Sequence, residues 1–375
     1  MSDVPWRVPQ AAYVHIPFCA HHCGYCDFAV VTGREAQMGA YLDALAAELA
    51  ELQTPRPVQT LFLGGGTPSY LPLPLLERLL GLLRVWFPLS PGGEWSIEAN
   101  PESLDADKIA LLSQAGVNRV SLGVQSFDPN ELAVLDRAHD PREAVAAIER
   151  LRGRIGRVSL DLIFGVPGQT MASWRDHLRR ALDLGVGHLS TYGLTYEKGT
   201  PLWKQRRAGR LIPLSEEAEL SLYDTAIDTL EAAGFEHYEV SNFARPGERS
   251  RHNETYWANH AYFGMGLGAA RYVDFVRAVN TRDFTAYLAG RRAWQEECLP
   301  PDERARETMA VQLRRTSGIE RGGFREQTGH DLDHLTTGIS PLVEQGLLSD
   351  TGTHVALSRR GKAVADGVIE RLLRG

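Results

Sequence analysis

The chain has 375 residues, of which 43% are hydrophobic and 23% are charged, and its formal net charge is −7. A chain of this length can bury a substantial core, which predicts one large domain with a smaller appendage. The acidic balance argues against general affinity for nucleic acid, because such affinity depends on Lys and Arg neutralising phosphates.

No membrane-spanning segment and no export signal are predicted. The longest leucine-rich run, residues 71–87, is interrupted by Glu77, Arg78 and Arg84, whereas a bilayer span needs about 20 consecutive apolar residues. The first ten residues lack the apolar stretch of a signal peptide. With only four cysteines in the chain, these features predict a location in the reducing cytoplasm.

Strand-like apolar runs alternate with helical patterns from residue 11 to residue 194, which predicts a parallel α/β architecture. The predicted strands are residues 11–18, 60–63, 95–99, 119–124, 158–164 and 188–194. The predicted helices between them are residues 41–52, 75–87, 106–115, 141–152 and 174–184. Ligand sites in such folds gather at the carboxyl ends of the strands, so the residues that follow each strand are the first candidates for function.

The first predicted strand runs directly into a loop that contains Cys19, Cys23 and Cys26. Their spacing, C-x3-C-x2-C, places three thiolates close enough to hold one polynuclear iron–sulfur centre. A [4Fe–4S] cluster takes four ligands, but Phe28 stands two positions after the third cysteine and Cys298 is far away in the sequence. The pattern therefore predicts a cluster with one iron open to an exogenous ligand.

Two other uses of these cysteines stay open. A structural zinc site takes four protein ligands, and His15, His21 or His22 is near enough in sequence to complete one. A disulfide with one spare thiol fits poorly with a cytoplasmic chain. Three cysteines within eight residues, in a chain that has only one other, favour the iron–sulfur cluster.

Two further groups of residues follow predicted strands. Three glycines, residues 64–66, would let backbone groups approach a ligand closely, although a tight turn alone also explains them. Glu98 and Asp161 lie near the carboxyl ends of two other strands, among apolar neighbours. A carboxylate there is costly unless it is paired or hydrogen-bonded. Taken alone, each is best interpreted as a cap or a salt bridge.

The segment after residue 200 carries a second unusual pattern. A helix predicted over residues 215–233 has an apolar stripe that indicates core packing. Residues 252–257 are HNETYW, and residues 262–269 are YFGMGLGA. The alternating glycines predict a close approach of the backbone to a flat partner, unless they serve a twisted edge or a turn. His252 offers an imidazole as a possible ligand, although a lone histidine beside aromatic residues is more often structural.

The segment from residue 300 changes character, because two consecutive prolines mark a boundary there. Its predicted elements are helices over residues 302–315 and 339–345, a hairpin over residues 347–357, and a final helix from residue 359. DNA binding is one interpretation, supported by Arg359, Arg360 and Lys362. However, residues 301–375 hold 11 Lys and Arg against 11 Asp and Glu, whereas a DNA footprint is clearly basic. We therefore predict a packing or docking domain and no nucleic-acid partner.

The cysteine loop resembles a known family. Residues 13–28, YVHIPFCAHHCGYCDF, resemble the cluster loop of radical S-adenosylmethionine (SAM) proteins, in which the amine and carboxylate of SAM occupy the open iron. The segment is similar to the coproporphyrinogen III oxidase-like branch in particular. Phe28 stands where the oxygen-independent oxidase typically carries a further cysteine, as in the haem chaperone (HemW) members of the branch. HNETYW and the glycine run also resemble those members.

This resemblance implies a fold and its division into domains. The fold would be an α/β partial (β/α)6 barrel with a small C-terminal helical, winged-helix-like domain. Residues 1–200 would form the barrel with its [4Fe–4S] loop, residues 201–299 a family-specific extension with HNETYW, and residues 300–375 the C-terminal domain.

The resemblance also implies roles for single residues. The cysteines at 19, 23 and 26 would bind the [4Fe–4S] cluster, and His252 would bind haem. Glu98 would hold the SAM amine, and Gln125 and Asp161 would bind the ribose hydroxyls. The full set of predicted SAM contacts is Tyr13, Tyr25, Gly65, Gly66, Thr67, Glu98, Gln125, Arg137 and Asp161.

Two functions follow from the resemblance. The first is a haem chaperone that binds the cluster, SAM and haem and hands haem to an unidentified acceptor, for which a respiratory protein is one candidate. The alternative is an oxygen-independent coproporphyrinogen III oxidase-type enzyme that decarboxylates propionate side chains. An electron donor such as a flavodoxin or ferredoxin would be a further partner if SAM is cleaved. Phe28 and the short segment before Tyr13 favour the chaperone, without decarboxylase activity.

Overall fold

The computed structural model describes residues 4–292 and 294–374. Six strands alternate with helices along the first half of the chain, as the sequence predicted. The strands are β1 (Ala11–Ile16), β2 (Val58–Gly65), β3 (Leu89–Ala99), β4 (Arg119–Gln125), β5 (Arg157–Phe164) and β6 (His188–Gly193). The helices are α1 (Met38–Ala50), α2 (Leu73–Trp86), α3 (Ala106–Ala115), α4 (Pro129–Val134), α5 (Pro141–Leu151) and α6 (Met171–Asp183).

The second half of the chain adds shorter elements. After β6 come α7 (Pro201–Arg207), α8 (Glu216–Ala232), β7 (Glu236–Glu239), β8 (Asn242–Ala244), α9 (Arg251–Trp257) and β9 (Phe263–Met265). A small sheet with one helix follows, made of β10 (Ala270–Val273), β11 (Val276–Val279), α10 (Phe284–Leu288) and β12 (Gln295–Cys298).

The last segment contains helices and three short strands. They are α11 (Pro301–Gln312), β13 (Ile319–Glu320), α12 (Arg321–Thr328), α13 (Leu332–Leu335), α14 (Ile339–Glu344), β14 (Leu348–Asp350), β15 (His354–Leu357), α15 (Arg359–Ala363) and α16 (Ala365–Arg374). The predicted hairpin is present, because β14 and β15 pair antiparallel, and β13 pairs with the other edge of β15.

The described residues form one large sheet with strand order β7-β8-β6-β5-β4-β3-β2-β1-β9. Strands β1 to β6 are parallel neighbours, which confirms the predicted α/β architecture. The sequence did not predict β9, which pairs parallel with β1 at the sheet edge. Nor did it predict that β8 pairs antiparallel with β6 at the other side.

Alternation along the strands divides the residues between an outer core and the interior of the curved sheet. In β1, Val14 and Ile16 belong to the large hydrophobic core that also includes Leu42 and Leu45 of α1. The residues between them point to the opposite face, where the cavities described below lie. Helices α3, α5 and α6 begin at capping side chains that accept hydrogen bonds from first-turn N–H groups, namely Asp105, Asp140 and Thr170.

The C-terminal segment has its own hydrophobic core, centred on Met309, Leu313 and Phe324. One ion-pair group anchors it to helix α8: the Arg359 guanidinium contacts Asp224 at 2.9 Å and Asp228 at 2.6 Å. The arginine that had suggested DNA binding is therefore engaged within the molecule. The predicted domain boundaries themselves stay predictions.

Three element predictions were wrong in detail. Strand β3 begins at Leu89, six residues earlier than predicted, because Leu89 pairs with Val58 before an irregularity in the ladder. The Pro and Gly residues of this stretch had indicated a loop. The final helix is two helices that meet at Val364, and α12 was not predicted at all. Within the part of the chain that the structure describes, every helix is too short or too polar to cross a bilayer.

Candidate functional site

The cysteine loop leaves the carboxyl end of β1 and folds back on itself. The N–H of Val31 donates to the carbonyl of Pro17 at 2.8 Å, and the N–H of Cys19 donates to the carbonyl of Val31 at 3.1 Å. A tight turn then brings the N–H of Cys26 to the carbonyl of Cys23 at 3.2 Å. Backbone hydrogen bonds thus fix the loop at both ends, while the three cysteine side chains stay available.

All three thiols are free, half-buried and on the wall of one cavity of about 410 Å³. Burial raises the pKa of Cys19 to about 11 and also raises the pKa of Cys26, so iron must displace a proton from each thiol that it binds. Among the described residues, no three His, Cys, Asp or Glu side chains converge closely enough to hold a single ion. A cubane does not require this, because each thiolate binds a different iron.

The histidines that could complete a zinc site have other partners. Nδ1 of His15 lies 3.0 Å from the Tyr13 hydroxyl and its Nε2 lies 2.9 Å from the carbonyl of Ala29. His21 contacts the Asp136 carboxylate at 3.1 Å, and Nε2 of His22 lies 3.0 Å from the carbonyl of Cys26. None of these contacts directs an imidazole towards the thiols, so the geometry favours the cluster over zinc.

A chain of polar contacts supports two of the three cysteines from behind. Arg137 donates from Nη1 to Sγ of Cys23 at 3.4 Å and from Nη2 to Oδ1 of Asn100 at 2.8 Å. Asn100 in turn donates to the Thr67 hydroxyl at 2.9 Å, and that hydroxyl lies 3.6 Å from Sγ of Cys19. The Arg137 guanidinium thus contacts both Cys23 and the residue that connects to Cys19 through Thr67. Asn100 was not predicted as a site residue, because its role depends on two side chains from distant segments, Arg137 and Thr67.

Two half-buried carboxylates, Glu98 of β3 and Asp161 of β5, line the same cavity. Oε2 of Glu98 accepts the backbone N–H of Gly65 at 2.9 Å, and Asp161 accepts the Ser121 hydroxyl at 3.2 Å. Burial raises the pKa of Glu98 to about 7, and burial also raises the pKa of Asp161, against the opposing effect of the Ser190 and Ser121 hydroxyls. Each carboxylate therefore has few protein partners and can take more, as a cationic or hydroxyl-bearing ligand would provide.

The backbone at Gly65 and Gln125 is shaped for this site. Gly65 has a φ of +112°, and a Cβ there would collide with the ring of His15, so glycine is required for both conformation and space. Gln125 has a φ of +64° and lies at an irregularity in the pairing of β4 with β5. Left-handed backbone at a non-glycine residue is uncommon and often marks a functional site. Here it accompanies a side chain that lines the cavity.

Eight of the nine predicted SAM residues line this cavity together. They are Tyr25, Gly65, Gly66, Thr67, Glu98, Gln125, Arg137 and Asp161. The exception is Tyr13, which lines a second, neighbouring cavity, where its hydroxyl contacts His15 and its ring stacks on Phe62 at 6.2 Å between centroids. Tyr13 therefore lies outside the thiol-lined cavity, in the cavity next to it, and its contact with SAM stays a prediction.

The HNETYW segment forms helix α9, and its histidine is fully buried. Nδ1 of His252 lies 2.9 Å from the Thr60 hydroxyl, and Nε2 lies 2.8 Å from the Tyr256 hydroxyl. The ring also stacks on Phe62 at 5.0 Å, and burial lowers the pKa of His252 to about 3. Both nitrogens are therefore already hydrogen-bonded, and the structure does not support His252 as the haem ligand.

The glycine run after α9 also has an explanation within the chain. A Cβ on Gly264 would collide with the carbonyl oxygen of Ala270. Strand β9 carries this glycine and packs between β1 and the turn into β10. The alternative of a crowded sheet edge therefore accounts for Gly264, and the approach of these glycines to a flat partner stays a prediction.

Comparison with known proteins shows similarity along nearly the full chain. A model of the radical SAM superfamily matches residues 13–181, and a model of the HemN C-terminal domain matches residues 299–364. The protein named heme chaperone HemW of Bacillus subtilis (strain 168) is 37% identical over 97% of this chain and 99% of its own length. HemW of Escherichia coli (strain K12) is 32% identical over 97% of this chain and 98% of its own.

Two other similarities extend this. The mitochondrial radical S-adenosyl methionine domain-containing protein 1 of Bos taurus is 34% identical over 99% of this chain and 89% of its own length. Among solved structures, coproporphyrinogen III oxidase (HemN) from Escherichia coli, described as a radical SAM enzyme, has a TM-score of 0.85. It is 25% identical, and the match covers 99% of this chain and 91% of that one.

Proposed function

The chain belongs to the family of radical SAM proteins named heme chaperone HemW, and on that basis we propose that it is itself a haem chaperone, which binds haem and transfers it to an acceptor protein. The observation that carries this proposal is similarity to those relatives along nearly the whole of both chains. It includes the segment from α9 to β10, outside the residues that the radical SAM model matches. The acceptor is not identified.

We propose Cys19, Cys23 and Cys26 as the ligands of a [4Fe–4S] cluster, with SAM at the fourth iron. The residues fit such a cluster, because three free thiols share one cavity wall and the guanidinium of Arg137 lies 3.4 Å from Sγ of Cys23. When bound, the cluster would supply an electron to SAM if SAM is cleaved. A flavodoxin or ferredoxin would then be the reductant that this function requires.

The protein's own contribution is to orient SAM. Among the described residues, the backbone donor to Glu98 is the N–H of Gly65, which binds Oε2. Glu98 would therefore accept the SAM amine with its other carboxylate oxygen. Asp161 and Gln125 would take the ribose hydroxyls, and Arg137 would lie near the SAM carboxylate while it supports Cys23. SAM carries an amine and a carboxylate at one end and a ribose at the other, so its polar groups match the separate positions of Glu98, Arg137 and Asp161 along the cavity wall.

The second candidate is an oxidase that decarboxylates propionates of coproporphyrinogen III. The match to the solved oxidase over nearly the whole chain favours it. Phe28 argues against it, because this residue stands in place of the further cysteine and its side chain is 60% exposed at the cavity. The chaperone is therefore preferred.

One pair of assays separates the two functions. Anaerobically reconstituted protein is titrated with haemin, and a parallel sample receives coproporphyrinogen III, SAM and a low-potential reductant. The chaperone proposal predicts stoichiometric haem binding, passage of haem to an apo-acceptor, and no vinyl product by chromatography. Detection of a decarboxylated product would overturn the chaperone proposal and favour the oxidase. Failure to bind haemin would also overturn the chaperone proposal.

A further inference from the structure

A second interior cavity of about 330 Å³ adjoins the thiol-lined cavity. The two share a wall that includes Gly65, Glu98 and Asp161. At one end the lining consists of exposed residues, of which Phe28 is 60% exposed and Arg282 is also exposed. The rest of the lining is mostly polar and aromatic and includes Tyr13, His15, Phe62, Arg119, Ser121, Ser190, His252, Asn253 and Tyr256.

The unusual member of this lining is Arg119, the first residue of β4. It is 2% exposed, and its Nε atom has no hydrogen-bond partner in the described residues. Nε of Arg137 also lacks a partner, but the terminal nitrogens of Arg137 have the contacts described above, and Arg157 contacts the Glu94 carboxylate at 3.0 Å. The Arg119 guanidinium has no such contact with another described residue. A buried guanidinium without an anion is costly. The fold therefore holds a cation at this cavity whose anionic partner is not a residue of the described chain.

The carboxylates of the shared wall do not fill this role. Neither Glu98 nor Asp161 forms an ion pair with Arg119 in the structure, although its charge lowers the pKa of both against the larger effect of burial. Glu98 accepts from Gly65, and Asp161 accepts from Ser121. Both also line the SAM-side cavity, where the proposed cationic ligand would balance them. The guanidinium thus remains available to a carboxylate that enters from the second cavity.

We infer that Arg119 receives a carboxylate of the haem, so that one propionate arm enters the second cavity. This inference rests on the proposed function, because it takes haem as the ligand. A guanidinium matches a carboxylate through two parallel N–H donors, which gives both strength and orientation. The rings of Phe28 and Tyr192, which is 41% exposed, line the cavity beside its exposed end and suit the flat apolar body that carries the propionates.

The test compares two ligands that differ only at the propionates. Haemin and haemin dimethyl ester are titrated separately into the full-length, cluster-loaded protein, and binding is followed by the Soret band and by calorimetry. We expect the ester to bind the wild type at least about tenfold more weakly, as the loss of one charge-assisted hydrogen-bonded pair predicts. In Arg119→Gln the two ligands should bind alike.

Arg78→Gln is the matched control, because it removes an exposed cation of α2 that lines neither cavity, and it should keep the preference for haemin. If Arg119→Gln does not fold, Arg119→Lys is used instead, because it retains the charge but not the planar guanidinium. Its preference for haemin over the ester should be weaker than that of the wild type but not absent. Equal binding of both ligands by the wild type, or an unchanged preference in a folded Arg119 variant, overturns the inference while leaving the chaperone intact. No haemin binding by the wild type overturns the chaperone itself.

Discussion

The thiol-lined cavity and helix α9 both contain side chains that can bind a ligand, but these side chains differ in how far the protein already satisfies them. In the cavity, three thiols and two carboxylates have few protein partners, and burial raises the pKa of Cys19, Cys26, Glu98 and Asp161. In α9, the imidazole of His252 has a partner at each nitrogen and an aromatic ring on its face. The first group is arranged for a ligand, and the second is arranged for packing.

The difference shows what a motif can and cannot establish. The cysteine spacing is local, so the loop alone brings its donors together. The histidine of HNETYW, by contrast, meets Thr60 from 192 residues earlier in the chain, and only the folded sheet reveals that its nitrogens are taken. The resemblance identified both segments as distinctive, but only the structure distinguishes an available side chain from a satisfied one.

The largest expected effect is at the cluster loop. Cys26→Ala should abolish the [4Fe–4S] cluster, because a cubane with two local thiolates loses the third of its protein ligands. Iron analysis and the visible spectrum of the reconstituted protein measure it. Cys298→Ala, in exposed β12, is the matched control and should retain about four irons, as wild type does. Full iron content in Cys26→Ala would contradict the assignment.

The next effect concerns the packing assigned to α9. His252→Ala removes two hydrogen bonds and a buried ring, so the free energy of unfolding should fall by about 2–5 kcal/mol, while the Soret band of bound haem keeps its position. Chemical denaturation and absorption spectra measure both. His330→Ala, a histidine at the surface of the C-terminal segment, should change neither. An unchanged stability with a shifted Soret band would indicate that His252 is an iron ligand. Helix α9 would then also be arranged for a ligand and not for packing.

A smaller effect is expected for the carboxylates of the cavity. Asp161→Asn and Glu98→Gln should leave the cluster intact but weaken SAM binding by about 1.5–3 kcal/mol, because each removes a charged hydrogen-bond acceptor. Calorimetry on cluster-loaded protein provides the affinities, and Glu77→Gln on the exposed face of α2 is the control. Wild-type affinity in both variants would show that SAM does not use this wall.

The smallest effect is a pH dependence. The pKa of Glu98 is raised to about 7 in the folded protein, so the folded state holds this proton more tightly than the unfolded one. Its contribution to stability is therefore present below about pH 4.5 and is lost as the pH rises through 7. SAM affinity should change in the opposite sense and increase from pH 6 to pH 8, as the carboxylate forms. In Glu98→Gln, the pH dependence of stability and that of SAM affinity should both become weaker. An unchanged pH dependence in this variant would show that another titratable group causes it.

Much of the fold could be predicted, because the six parallel strands follow from apolar runs and the cysteine loop from its own spacing. The cavity could be predicted only in part. Arg119 looks like a solvated strand end in the sequence, and the register of β4 between Ser96 and Arg157 turns its side chain inwards. Asn100 likewise gains its role from Arg137 and Thr67. These contacts join distant segments, and no local pattern encodes them.

The central claim is that three cysteines leave one iron open to SAM within the thiol-lined cavity. Electron paramagnetic resonance of the reduced, cluster-loaded protein tests it most directly, with SAM added to the wild type and to Asp161→Asn. The account predicts that SAM changes the cluster signal of the wild type and that the variant needs more SAM for the same change. An identical signal with and without saturating SAM in the wild type would contradict it.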